Sequence, residues 1–223
     1  MSPSVLVIGA SRGIGLELVR QHRAEGRAVV ATARDDAGLA RLQALGARAL
    51  RLDVASPVSV SGLAWQIDGE SFDTVWFCAG VYGPSTTGLQ PPTLADFDRV
   101  MHTNVLGAMQ VLPQLLDALA PQARLGLLSS RMGSIGRRSS PTGWLYRASK
   151  AALNSVLKDL SLALAGRALC VALHPGWVRT DMGGADADLD VARSAADLRA
   201  TLAALTPADH GRFLNHDGQP LDW

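Results

Sequence analysis

Tyr146 and Lys150, in the stretch "YRASK", are one of two tyrosines and one of two lysines in a chain whose basic residues are otherwise arginine. Shuffling would set such a pair four apart in about two of a hundred chains of this composition. On a helix, i,i+4 neighbours touch, so local helix stabilisation is one reading. The other is acid–base chemistry. A free phenol is a poor acid, with a pKa near ~10. One helical turn, a rise of about 6 Å, puts Lys150 on nearly the same face. At an effective dielectric of ~20 an ammonium at that range favours tyrosinate by roughly 2–3 kcal/mol, about two pKa units. A phenol tuned in this way can both give and take a proton. Arginine at 150 would be planar, bulkier and differently hydrated, so it is no equivalent. Lys158 has no comparable partner and reads as surface.

The elements that must position this pair alternate between short apolar runs and longer amphipathic ones. Strands are expected at Ser4–Ala10, Arg27–Ala33, "ARALRLDV", "DTVWFCAG", "ARLGLLSS" and "RALCVALHPG", with a short seventh in "HGRFLNHDG". Helices are expected between them. One opens at Ser56 and Pro57 and runs toward Ile67. A long one starts at Thr93 with Asp96 as a variant capping box. Another spans "GWLYRASKAALNSVLKDLSLALAG". Strands apolar without alternation are buried on both faces. Strand–helix alternation throughout implies a doubly wound α/β fold whose central sheet, of about seven strands, is mostly parallel.

The first strand–helix junction reads "GASRGIG", from Gly9 to Gly15. Gly9, Gly13 and Gly15 permit a tight turn and close backbone approach, and the helix start offers unpaired N–H groups to a pyrophosphate. Its place between strand and helix supports nucleotide binding through Gly9, Ser11, Arg12, Gly13, Ile14 and Gly15. Where NAD-binding proteins of this architecture carry an acid for the ribose 2′-hydroxyl, this chain has Ala33, followed by Arg34. Arg12 and Arg34 suit a 2′-phosphate, which favours NADP(H) over NAD(H), with Asp35 as the residue that opposes it. Asp53 and Val54 are placed to meet the adenine. Ala79 and Gly80 allow close approach of the cofactor.

As a set, "GASRGIG", Asp53-Val54, Cys78-Ala79-Gly80, Asn104, Ser129-Ser130, "YRASK" and "PGWVRTDM" resemble the short-chain dehydrogenase/reductase superfamily over essentially the whole chain. "HPGWVRTDMGG" and the tail "DGQPLDW" look like the C-factor-like and sniffer-type branch. One departure is Phe77-Cys78 where the family often has two asparagines. The resemblance implies a single Rossmann-fold domain over residues 1–223, with a substrate loop after the sixth strand at about 176–195. It implies a catalytic Ser130, Tyr146 and Lys150, with Asn104 holding a water that links Lys150 to solvent. Ser129 and Ser134 are rivals for the serine role, and Ser130 is preferred because it immediately precedes the turn at the strand's end. Lys150 would also bond the nicotinamide ribose, and Ser130 would stabilise developing negative charge on a substrate oxygen. Pro175, Gly176, Val178 and Thr180 are further cofactor contacts, Val178 and Thr180 toward the carboxamide. Trp144 and Trp177 flank the expected substrate pocket. The segment "GGADADLDVARSA" is read either as a lid or as an ordinary exposed connection. Arg137 and Arg138 read as solvated or as recognising an acidic substrate, and His174 as structural.

The resulting expectation is reduction of a ketone or aldehyde to an alcohol with NADPH. The alternatives are a non-enzymatic NADP(H)-binding regulator and a sugar-nucleotide epimerase or dehydratase, which would usually carry a larger C-terminal region. The small formal net charge, +1, gives no support for nucleic acid or anionic membrane as partner. No apolar run approaches the ~20 residues of a membrane span, and no signal peptide is read at the N-terminus. Cys78 and Cys170 read as buried thiols of a cytoplasmic protein rather than as disulfide or metal ligands. The resemblance also implies a homodimer through two long helices, around 104–119 and 146–165.

Overall fold

The computed structural model describes residues 4–223. Seven strands, β1 (Ser4–Ile8), β2 (Ala28–Ala33), β3 (Arg48–Arg51), β4 (Phe72–Phe77), β5 (Leu119–Leu128), β6 (Ala168–His174) and β7 (Arg212–Asn215), form one sheet. Its order is β3-β2-β1-β4-β5-β6-β7, and every pairing is parallel. The sheet was expected to be mostly parallel and is wholly so. The order reverses between β1 and β4, which opens a crevice beyond their carboxyl ends.

Each face of the sheet carries its own apolar core. Leu6 and Ile8 join Val105, Leu153 and Leu157 on one side. Val5 and Val7 join Leu18, Leu198 and Leu202 on the other. This is the period-two alternation of a strand in which both sets are apolar, so the sheet lies between two helical layers. The helices are α1 (Gly13–Ala24), α2 (Asp36–Ala44), α3 (Pro57–Ser61), α4 (Leu63–Gln66), α5 (Leu94–Met101), α6 (Gly107–Gln114), α7 (Trp144–Ala163) and α8 (Val191–Ala204).

Three elements differ from expectation. The helix expected from Ser56 toward Ile67 is broken at Gly62 into α3 and α4. The long helix after Thr93 contains a π-turn, His102–Leu106, between α5 and α6. Helix α8 occupies sequence read as part of the loop, so the loop after β6 ends at Asp190, whose side chain caps α8 by accepting from the Arg193 N–H at 2.7 Å. The buried positions of α8 include small ones, Ser194 and Ala195, which leave a weak apolar stripe in the sequence. Among the described residues no helix is long and apolar enough to cross a membrane.

Candidate active site

A cavity of about 420 Å³ lies in the crevice at the switch point. The glycine turn, Gly9 through Gly15 apart from Ala10, forms one wall. At Gly9, with φ +81°, a side chain would stand 2.6 Å from the Ala79 nitrogen, so β1 and β4 end in direct backbone contact. Arg12 is the N-cap of α1 and its side chain makes no capping bond, which leaves the first-turn N–H groups facing the cleft. Ala33, Arg34, Asp53, Val54, Ala79 and Gly80 line the far side. The cavity, the glycines and the uncapped helix start fit a dinucleotide.

Asp35 does not line the cavity. Its carboxylate accepts from the Gly38 N–H at 2.7 Å and caps α2. Arg12 reaches across the mouth to Asp181, 2.8 Å away, in an exposed ion pair. Arg41, which the sequence reading passed over, ties α2 to the glycine turn through Ser11 O at 2.9 Å.

Tyr146 and Lys150 stand at the buried end of the cleft. The Lys150 ammonium lies 5.7 Å from the centre of the Tyr146 ring and donates to Leu128 O at 2.9 Å. Gly80 makes room for it, since a side chain there would meet Lys150 Nζ at 3.3 Å. Burial pushes Lys150 down to about 8, opposed by Cys78. The sequence reading expected the ammonium to lower the phenol. In the folded protein the balance goes the other way: burial pushes Tyr146 up, a hydrogen bond with Ser130 opposes it, and Tyr82 adds to the rise. Both groups have lost water, and loss of water disfavours the charged form of each.

Ser129, Ser130 and Ser134 have distinct surroundings. The Ser129 hydroxyl donates to Asn154 Oδ1 at 2.5 Å. That of Ser134 donates to the main-chain oxygen of Trp223 at 3.1 Å. Ser130 accepts from the Met132 N–H at 3.1 Å and is the serine that opposes the rise at Tyr146, while Ser129 is the one that lines the cavity.

Asn104 sits in the π-turn, fully buried. Its amide accepts from the Val81 N–H and donates to Val81 O, both at 2.8 Å, and donates to Ser149 Oγ at 2.9 Å. Both of its amide hydrogens are therefore committed to protein. The side chain fastens the segment after β4 to α7, because the widened turn brings it against Val81.

Pro175 and Thr180 line the cavity, and Gly176, Val178 and Asn104 do not. Val178 is buried in a bridge with Leu189 that closes the base of the loop after β6, and Arg179 bonds Ala187 O at 2.9 Å within it. The loop is therefore strapped at its neck. Gly176, with φ +87°, packs under Leu189 and His216. Trp144 donates to Gln90 O at 2.9 Å and Trp177 to Gly183 O at 2.8 Å, and neither lines the cavity. The neighbours of the phenol are instead Tyr82, whose ring centre is 4.7 Å away with the planes tilted by 31°, and Met182, whose sulfur is 4.0 Å from the hydroxyl. Met182 ends the "PGWVRTDM" motif, but neither residue was assigned to the pocket, because both arrive on loops. Cys170 is buried and Cys78 half-buried at the cavity wall, both as free thiols.

The profile of the short chain dehydrogenase family matches residues 3–189. The C-signal protein of Myxococcus xanthus is 37% identical over 132 residues, covering 58% of this chain and 80% of its own. The carbonyl reductase Sniffer of D. melanogaster superposes with a TM-score of 0.90 at 29% identity, over 100% of both chains. A carbonyl reductase from Pseudomonas aeruginosa PAO1 in complex with NADP does so with a TM-score of 0.87 at 32% identity, again over 100% of both.

Proposed function

Because the chain belongs to the short-chain dehydrogenase family of oxidoreductases, we propose that it reduces a ketone or aldehyde to an alcohol with NADPH, Tyr146 giving the proton. The observation that carries this reading is the buried Tyr146–Lys150 pair at the inner end of a glycine-walled cleft, with buried Ser130 just beyond the end of β5. Bound in that cleft, the reduced nicotinamide supplies hydride to the carbonyl carbon.

The chain's own groups do the rest. The first-turn N–H groups of α1 take the pyrophosphate, with Gly13 and Gly15 allowing close approach. Arg34 and Arg12 take the 2′-phosphate, a preference supported by Asp35 being turned away into its cap. Asp53 and Val54 border the adenine, Lys150 bonds the ribose, and Pro175 and Thr180 border the nicotinamide. Tyr146 donates its proton to the substrate oxygen as negative charge develops there. Ser130 donates a second hydrogen bond to the same oxygen. At neutral pH Tyr146 is in the protonated form that donates. Tyr82 and Met182 give the substrate side an apolar wall. The alternative of a cofactor-binding regulator has no use for a buried tyrosine and lysine side by side at the inner end of the cleft. Met109 and Leu162 are exposed apolar residues on α6 and α7, the two helices through which a homodimer would form.

The test is NADPH oxidation with a panel of carbonyl compounds, beside cofactor binding by fluorescence. The parent should turn over and bind NADPH more tightly than NADH. Tyr146→Phe should lose about 10³-fold or more in kcat while keeping NADPH affinity. A Phe variant as fast as the parent sinks the mechanism, and cofactor binding without turnover of any carbonyl favours the regulator.

A further inference from the structure

The turn that carries Ser130 is gripped from two sides. On its inner side Gly133 lies against α7, where a side chain would stand 2.9 Å from Lys150 Cβ. On its outer side three donors from successive residues converge on one acceptor, the main-chain oxygen of Trp223. They are Ser134 Oγ at 3.1 Å, the Ile135 N–H at 2.9 Å and the Gly136 N–H at 3.2 Å. The Trp223 ring stacks on Phe213 of β7, with centroids 5.6 Å apart and planes 24° from parallel. The tail before it is laid along β7 in fixed register. The Leu221 N–H donates to Phe213 O and the Asn215 N–H to Gln219 O, both at 2.8 Å. Leu214 and Pro220 pair antiparallel.

We propose that Trp223 is a positioning residue for Ser130, acting through the Ser130–Ser134 turn. This rests on the reading of Ser130 as a donor to the substrate oxygen. The turn is short and tightly bonded: the Gly133 N–H donates to Ser130 O at 2.7 Å and the Ser134 N–H to Arg131 O at 3.1 Å. A shift at Ser134 is therefore passed to Ser130 rather than absorbed. Beyond the turn, residues 137–142 are largely exposed and belong to no helix or strand, so they offer no other brace on that side. A hydroxyl that must meet a developing charge loses most of its effect when displaced by an ångström, and such displacement costs on the order of 10²-fold in rate.

The test compares the parent with a chain lacking residue 223, with Trp223→Ala and with Trp223→Phe. The readouts are kcat, KM, NADPH affinity and amide exchange at residues 133–136. Loss of residue 223 should lower kcat by about 10–100-fold with NADPH affinity within about twofold. It should also speed exchange at Ile135 and Gly136 and, in step, at Gly133 and Ser134. Trp223→Phe keeps both the ring and the oxygen and should restore kcat to within about threefold, with Trp223→Ala between the two. The proposal is overturned if the shortened chain keeps its kcat. It is equally overturned if NADPH affinity falls in proportion, or if exchange quickens at 135–136 and not at 133–134. A parent that reduces no carbonyl would sink the functional reading alone, since the exchange measurement still decides whether Trp223 holds the turn.

Discussion

At the carboxyl ends of the strands a buried ammonium, Lys150, is bonded to a main-chain oxygen and to no carboxylate among the described residues. At the amino ends lies a second hollow, of about 730 Å³, lined by His22, Glu25, Arg27, Asp73, Arg124 and Arg199 among others. There Arg27 pairs with Asp73 and Arg199 with Glu25. Arg124 takes the carbonyls that end α8, Leu202 O, Ala203 O and Leu205 O, where a cation complements the helix dipole. Burial holds His22 neutral, and its Nε2 accepts the Trp76 indole N–H at 3.1 Å. The hollow at the amino ends is thus the one whose charges are already answered, and the cleft holds a cation left free to act.

The comparison can be broken at either end. Lys150→Met should lower carbonyl reduction by about 10³-fold, yet leave the fold at least as stable at pH 7, since a buried unpaired charge disappears. Arg27→Met should do the reverse. It should cost about 1–2 kcal/mol in chemical denaturation, discounted for partial exposure of the pair, with kcat per folded molecule unchanged. Loss of stability in the first variant, or of kcat in the second, would erase the contrast.

Titration separates the ends by pH. Burial holds His22 down at about 4, so between there and its ordinary 6.5 the unfolded chain binds the extra proton. Stability therefore falls as pH drops through that window. His174, held down to about 3 by burial, acts in the same direction. Lys150, at about 8 against an ordinary 10.5, makes stability rise with pH across that interval. The rise ends near pH 10, where an unfolded tyrosine ionises and buried Tyr146 does not. Melting temperatures should show both slopes. Lys150→Met should abolish the alkaline rise alone, and His22→Gln should flatten part of the acid fall. The smallest effect is expected at the cleft mouth. Asp181→Asn frees Arg12 from an exposed pair worth about 0.5 kcal/mol, so NADPH should bind roughly twofold tighter at low salt, with the gain fading as salt rises.

The cofactor side of this molecule was readable from sequence because its signals are local. A strand, a glycine turn and a helix start are contiguous, and all six residues named from the turn line the cleft. The Tyr146–Lys150 pair was readable for the same reason, being one turn of one helix. The substrate side was not. Tyr82, Met182 and the turn brace at Trp223 come from three segments far apart in the chain, and only packing brings them together. The direction of the Tyr146 shift was missed because burial is a property of the assembled core, whereas spacing along a helix reports only the neighbour. Asn104 was found as a residue, but the π-turn that carries it was not, because an apolar period does not reveal a π-turn.

That turn has a consequence for the length of the chain. It holds five residues in a coil wider than an α-helix, so α5 and α6 meet with more backbone than a regular helix would need. Trimming one residue between His102 and Leu106 would let the helix run on unbroken. Ala108, Val111 and Leu112 would keep close to their present face on the sheet, whereas Asn104 would lose the widened turn that brings it against Val81. A deletion in this turn should therefore spare the packing of α6 and cost the Asn104 bonds to Val81 and Ser149.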